Sequence, residues 1–270
     1  MSRPVTRIAF LTDLHFGLER HELRDALVRA VNEARPALVV CGGDIAHRAR
    51  PGLLAAGRRF LDSLTAPWTV VPGNHDVPLY NVLGRFAHPF RDFRNKLSRE
   101  AEFVRRLDDV CVIGANTTDP HRWQRGGLGP AQIERVCRLA APEAAKGRSV
   151  VVAVHHPLEQ HPDVDKVLTV NAAEAMERFA QSGVNVLLSG HLHRWFAEYF
   201  IEGQDRKILQ IQGGTALCDR TTDLQNEFVT LDFDGLDLSL RRYVARGESL
   251  AFIGRDPQHL SRASGFWRLL

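Results

Sequence analysis

Histidine, aspartate and asparagine recur at the ends of five short apolar runs in this 270-residue chain. They are Asp13 with His15, Asp44, Asn74 with His75, His155 beside His156, and His191 with His193. Imidazole and carboxylate together favour Mn, Fe or Zn over Mg or Ca. No thiolate motif accompanies them. Cys41, Cys111, Cys137 and Cys218 are scattered without a CxxC spacing, which gives neither a disulfide framework nor a zinc–thiolate site. Asp-x-His and His-x-His each place two side chains on one side of an extended backbone, where the side-chain period is two. A single carboxylate can bridge two ions. Two ions roughly 3.5–4 Å apart can share a phosphoryl oxygen and bring the pKa of a bound water down to about 7. The chemistry open to this set is hydrolysis of a phosphate ester by a metal-activated hydroxide, with no Ser or Cys nucleophile required.

Each residue also has a plain structural reading. Asp13 and Asp44 could cap helices or turns, Gly42-Gly43 and Pro72-Gly73 could be ordinary turns, and His191-Leu192-His193 a polar patch on a strand. Their joint occurrence at five strand ends weighs against all of these together.

The elements that must position them follow from hydrophobic periodicity. Ile8–Leu11, Ala37–Cys41, Trp68–Val71, Val150–Val154 and Val184–Leu188 are short apolar runs, each ending at one of the five sites, and Val110–Ala115 is another. Between them, 21–34, 53–64, 130–141 and 171–181 carry helical spacing, with Pro130 at a first turn and Asn171 as N-cap. Alternating strands and helices imply parallel strands with helical cover. Sites in such sheets gather beyond the carboxyl ends of the strands. Segments 195–201, 207–212, 227–233 and 236–244 read as successive β-strands, and the tail beyond Glu248 has no clear pattern. Residues 85–99 interleave Arg85, Arg91, Arg94 and Arg99 with Phe86, Phe90 and Phe93. That stretch is either a substrate lid or nucleic-acid-binding surface, or an amphipathic helix with arginine stems along the core edge.

Composition narrows the class. Apolar residues make up 44% and charged residues 25% of the chain, and 35 Lys+Arg against 32 Asp+Glu leave a net charge of +3. This is the profile of an ordinary globular enzyme and does not demand a nucleic-acid or membrane partner. No window approaches a membrane helix and the N-terminal residues lack a leader pattern, so the chain reads as cytoplasmic.

Taken in order, Asp13-Leu14-His15, Gly43-Asp44, Gly73-Asn74-His75-Asp76, His155 and Gly190-His191-Leu192-His193 resemble the motifs of the calcineurin-like metallophosphoesterase superfamily. The resemblance covers about residues 5 to 215. It implies an α/β fold, a four-layer α-β-β-α sandwich of two mixed sheets flanked by helices. The whole of 1–270 would form one such domain, with a helical lid inserted at about 78–108. It also implies roles. Asp13, His15 and His193 would hold one metal, Asn74, His155 and His191 the other, and Asp44 would bridge them. His75 would contact the phosphate and protonate the leaving oxygen, with Asp76 orienting it. By spacing alone His155 and His156 are interchangeable; the family pattern selects His155 and leaves His156 at the pocket border. His47, soon after Asp44, falls within reach of the pocket rim.

The metals implied are two divalent or trivalent ions, Mn2+ and/or Fe, with Zn an option. Within the superfamily the motifs look most like bacterial cyclic-nucleotide and glycerophosphodiester phosphodiesterases. That implies attack by a metal-bridging hydroxide on a small-molecule phosphodiester, in a protein for which a homodimer is open. The alternatives are a UDP-sugar-lipid pyrophosphatase, a phosphomonoesterase, a DNA exonuclease, or a scaffold that has lost catalysis. The complete ligand set disfavours the scaffold, and the modest charge disfavours a nucleic-acid substrate.

Overall fold

The computed structural model describes residues 5–79, 81–159, 164, 167–197, 207–220 and 225–270. Thirteen strands form two sheets among these residues. Strands β1 (Thr6–Leu11), β2 (Leu38–Cys41) and β3 (Trp68–Val70) begin the first sheet. β4 (Phe103–Arg106), β5 (Val110–Gly114), β6 (Ser149–Ala153), β7 (Val184–Ser189) and β8 (Leu209–Gln212) make the second. The chain then returns to the first with β9 (Gln225–Asp234), β10 (Asp237–Arg246), β11 (Ile253–Gly254), β12 (Gln258–Ser261) and β13 (Arg268–Leu269). The strand orders are β13-β12-β10-β9-β1-β2-β3, with β11 on β10, and β4-β5-β6-β7-β8. Both sheets are mixed. β1, β2 and β3 run parallel and β9 pairs antiparallel to β1, while β5 to β8 run parallel and β4 lies antiparallel at the edge.

Helices cover both outer faces. Leu27 and Val31 of α1 (Arg24–Ala34) and Leu54 and Leu61 of α2 (Pro51–Asp62) pack on Ala9, Leu11, Val39 and Cys41. Ile133 and Val136 of α5 (Pro130–Ala145) and Phe179 of α6 (Ala172–Gln181) pack on Cys111, Ile113, Val150 and Val152. Between the sheets lie Ile8, Phe10, Val40, Val112, Val151, Val186 and Leu209. Neighbouring residues of β1 therefore enter different cores, Ile8 and Phe10 inward, Ala9 and Leu11 towards the helices. Strands buried on both faces must be apolar at every position, which explains the continuous runs in the sequence.

Several expectations change. Asn171 stands at the start of α6 but at φ 62, and its side chain caps nothing there; Nδ2 instead donates to the Leu128 carbonyl at 2.8 Å. Of the strand expected at 195–201, only 195–197 lie within the described residues, where Phe196 forms an isolated bridge to Gln212. The unpatterned tail supplies β11 to β13, and buried Trp267 donates its indole N–H to the Asn185 carbonyl at 2.8 Å. Residues 85–99 form no single amphipathic helix but two short ones, α3 (Val82–Ala87) and α4 (Arg91–Lys96). No helix among the described residues is long and apolar enough to cross a membrane.

Helix α5 runs on through Pro142, and its buried Glu143 ties it to the second sheet. The carboxylate accepts from Arg106 Nε of β4 at 2.9 Å, from Lys146 at 3.2 Å and from Arg148. Arg106 pulls this carboxyl down, burial opposes it, and Arg148 and Lys146 add to the pull, leaving it at about 2. A carboxyl held below its unfolded value contributes stability that is complete above about pH 5 and is lost as pH falls towards 2. Glu143→Gln should therefore lower the melting temperature at pH 7 and flatten its decline on acidification, measured calorimetrically.

Candidate metal centre

The five loops meet at one edge, beyond the carboxyl ends of β1, β2, β3, β6 and β7. The loop after β1 is locked to the loop after β2 by backbone hydrogen bonds from Asp13 to Gly43 (3.0 Å) and from His15 to Asp44 (2.9 Å). Asp13, His15, Asp44, His191 and His193 all have positive φ, between 47° and 76°. Asp-x-His and His-x-His converge through left-handed turns, not through the period of an extended strand as the sequence suggested. Two motif glycines are required by close approach. A Cβ on Gly73 would overlap the Asp44 carboxylate, and one on Gly190 would overlap the Thr12 hydroxyl.

Each aspartate divides its oxygens between structure and site. Asp13 Oδ2 accepts from the Thr12 hydroxyl at 2.6 Å and from the His191 N–H at 3.0 Å. Its Oδ1 is buried with no hydrogen-bond partner and lies 3.6 Å from His15 Nε2 and 3.2 Å from His193 Nε2. The two Nε2 atoms are 3.0 Å apart. Asp44 Oδ1 accepts the His75 N–H at 2.8 Å, while Oδ2 lies 3.4 Å from His15 Nε2 and 3.5 Å from His155 Nε2. His155 Nε2 also faces Asn74 Oδ1 at 3.2 Å. The Nδ1 atoms of His155 and His193 are taken by the carbonyls of Gly42 (2.8 Å) and Arg220 (3.0 Å). Such backbone partners fix a tautomer and turn Nε2 inward, as in metal-ligating histidines. The His191 ring packs on His155 at 5.2 Å.

Crowding of this kind suits cations. Burial opposes ionisation of Asp13 and Asp44, yet His193 and His15 hold Asp13, and His155 holds Asp44, well below the usual carboxylate range. Reciprocally, and against burial, Asp44 lifts His155 to about 9 and Asp13 lifts His193 to about 11. An orphaned buried carboxylate oxygen facing two imidazole nitrogens at 3.2 and 3.6 Å is the donor set an N/O-ligated ion fits. Groups that could hold an ion include Asp13, Asp44 and His155, and also His155, His156 and His191.

Three residues sit differently from expectation. Buried Asp76 accepts from the backbone N–H groups of Ile45 (2.9 Å), Ala46 (3.0 Å) and Gly73 (2.9 Å), clamping the Asp44 loop to the Asn74 loop. It forms none of these bonds with His75, so the orienting role gives way to a backbone clamp. His47 reaches past the rim and stacks on His75 at 5.3 Å. Cys218, which the sequence left unassigned, lies beside His15 and His193. His156 is buried, with Nδ1 at 2.9 Å from the Thr117 hydroxyl, and it borders a small pocket with Gly126 and Leu168.

A family model for calcineurin-like phosphoesterases matches residues 6–195. The chain belongs to this family. No curated protein matches this phosphoesterase significantly in sequence. Its fold is similar to that of a dimetal phosphatase from Danio rerio, with TM-score 0.66 and 14% identity over 93% of this chain and 99% of that one. It is similar too to purple acid phosphatase PPD1 from yellow lupin (TM-score 0.58, 14% identity, 94% of this chain, 54% of that one). A third likeness is to Vacuolar Protein Sorting 29 from Cryptosporidium parvum (TM-score 0.52, 14% identity, 95% and 98%). At these identities the likeness is one of fold.

The phosphoesterase carries a cleft of about 330 Å³ beside Asn74 and His75, walled by Arg48, Leu79, Arg85, Trp123 and Arg220. Arg85 is only 4% exposed. It donates to the carbonyls of Pro120 (2.6 Å), Arg122 (2.9 Å) and Pro78 (3.1 Å), and its guanidinium lies 4.9 Å from the Trp123 ring centre. It is a strut joining α3 to the 120–123 loop. Arg85→Lys cannot reproduce this fork. Assayed by steady-state kinetics, it should raise KM several-fold with little change in kcat, because the cleft wall loosens while the metal loops stay in place.

Proposed function

We propose that this phosphoesterase is a dinuclear-metal phosphodiesterase, with cyclic nucleotides or glycerophosphodiesters as its substrate class. The cleft beside Asn74 and His75 carries the proposal. Its volume and apolar walls, Leu79 and Trp123, leave room for an organic group beyond the phosphorus, and Arg48 and Arg220 offer positive charge to an anionic diester. In this reading Asp13, His15 and His193 would hold one ion, Asn74, His155 and His191 the other, and Asp44 would be shared by both. The bound ions supply Lewis acidity and an activated water. Helices α3 and α4 serve as a lid.

His75 faces the scissile phosphate. Burial holds its imidazole below the usual value, against the pull of Asp44, so the neutral form prevails near pH 7. The negative charge of an arriving substrate raises its proton affinity, so the imidazole takes up a proton from solvent and hands it to the leaving alkoxide. His47, stacked on it and itself pushed down to about 4 by burial, adds no competing charge.

Exposed Leu83, Phe86 and Trp123 favour a second reading, a substrate with an apolar tail such as a UDP-sugar lipid. A panel of bis(p-nitrophenyl) phosphate, p-nitrophenyl phosphate, cyclic nucleotides, glycerophosphodiesters and UDP-lipid analogues, with Mn2+, Fe or Zn2+ supplied, separates these. The expected result is a kcat/KM for diesters at least about tenfold above monoesters, a difference of about 1.4 kcal/mol. A monoester preference would overturn the diesterase reading and leave the metal centre standing.

A further inference from the structure

We infer that Cys218 lends its sulfur to the first metal position and biases that position towards thiophilic ions, Zn2+ and Co2+ ahead of Mn2+. The inference rests on the two-metal reading of this site and adds a fourth kind of donor to it.

Cys218 is fully buried, and its Sγ lies with one ring nitrogen of His15 and one of His193 in a group whose ligand atoms are all within 4.8 Å of one another. A second observation falls at the same two histidines. Asp13 Oδ1, buried without a hydrogen-bond partner, is 3.2 Å from His193 Nε2 and 3.6 Å from His15 Nε2. Metal–sulfur and metal–nitrogen bonds of about 2.3 and 2.0–2.1 Å set neighbouring sulfur and nitrogen ligands roughly 3.1–3.6 Å apart. The observed group, spread over at most 4.8 Å, needs to contract by at most roughly 1.2–1.7 Å to meet this.

The loop that carries Cys218 is fixed. The Thr215 hydroxyl donates to the Asp13 carbonyl at 2.6 Å and accepts the Cys218 N–H at 2.9 Å. Asn226 Nδ2 holds the Cys218 carbonyl at 2.8 Å, and Leu217 and Asp219 on either side are bonded to Arg20 and Leu18. The backbone N–H of Arg220 donates to Sγ at 3.4 Å. A donor aimed at sulfur steadies the charge of a metal-bound thiolate, as outer-shell partners do for other ligands. On metal binding the thiol proton is released to solvent, and sulfur binds through a lone pair.

The other cysteines lack such surroundings. Cys41 is packed among apolar residues between helices and the first sheet, and Cys111 and Cys137 among those covering the second. The two metal positions are therefore unlike. Carboxylate, imidazole and sulfur surround the first, while amide oxygen, carboxylate and imidazole surround the second. Soft sulfur selects Zn or Co, and oxygen-rich sets accept Mn.

The test is spectroscopic. Chelator-stripped full-length protein is titrated with Co2+, and near-ultraviolet thiolate-to-cobalt charge-transfer absorption is read beside the visible ligand-field bands. The wild type should show the charge-transfer band, Cys218→Ser and Cys218→Ala should lose it while keeping visible bands, and Cys41→Ser should keep both. Competition between Zn2+ and Mn2+ should show the preference for Zn2+ falling at least about tenfold in Cys218→Ser, because the soft donor that favours zinc is lost. A melting curve of each metal-free variant establishes that it is folded. No band in the wild type, a band retained in Cys218→Ser, or an unchanged Zn/Mn preference overturns the inference. Cobalt binding and diester hydrolysis without the band would overturn sulfur ligation alone; failure to bind any ion would overturn the two-metal reading as well.

Discussion

Asp44→Asn is expected to abolish metal-dependent hydrolysis of bis(p-nitrophenyl) phosphate. The carboxylate serves both sides of the site at once. Oδ1 accepts the His75 N–H at 2.8 Å, and Oδ2 lies between His15 and His155 at 3.4 and 3.5 Å. An amide has only one acceptor oxygen. In one orientation its NH2 opposes the His75 N–H; in the other it points a donor at the place where an ion would sit. The substitution also removes the negative charge that balances three neighbouring imidazoles. The expected loss in kcat/KM is at least about 10³-fold, equivalent to about 4 kcal/mol of transition-state stabilisation. Elemental analysis should show ion content falling in parallel. Full retained activity would sink the assignment of this centre.

His75→Ala should behave differently. The ring is edge-on to His15 at 4.9 Å and stacked on His47, and it projects into the cleft, where Asn74 is its neighbour. What it contributes to Asp44 is its backbone N–H, which alanine retains. Ion content should therefore stay near the wild-type value while kcat falls about 10²-fold, the lower range for loss of a general acid. A leaving group of low pKa should recover much of the loss, since it needs no proton. Equal loss of metal in this variant would make His75 a ligand instead.

The sequence made the five motifs legible because each is local, a few residues at the end of an apolar run. It also made parallel strands with helical cover legible, since Ile8–Leu11 and Val150–Val154 are apolar at every position and so must be buried on both faces; the division into two sheets came from the family resemblance alone. Features created by folding were not legible. Nothing local marks the left-handed turns at Asp13 and His15, because aspartate and histidine also occur in extended backbone. Asp76 looked like a partner for the adjacent His75, but its carboxylate turns towards Ile45 and Ala46, far away in sequence. Arg85 read as one of the interleaved arginines of a lid or an amphipathic helix, and only the three carbonyls around it reveal a strut. Cys218 reaches the centre from the loop after β8. The glycine pair Gly213-Gly214, a short stretch upstream, is the one sequence feature that could have pointed to it.

Five of the proposed ligands sit at left-handed φ, a conformation that costs a non-glycine residue of order 1 kcal/mol or more. Much of the cost gathers at the rim, although buried Ala49 of the first apolar core also has positive φ. Folding and metal loading are therefore thermodynamically linked: bound ions raise the free energy of local opening at these loops without altering the packing of the sheets. The metal-free protein should thus remain a folded sandwich whose strand ends exchange their amide hydrogens early.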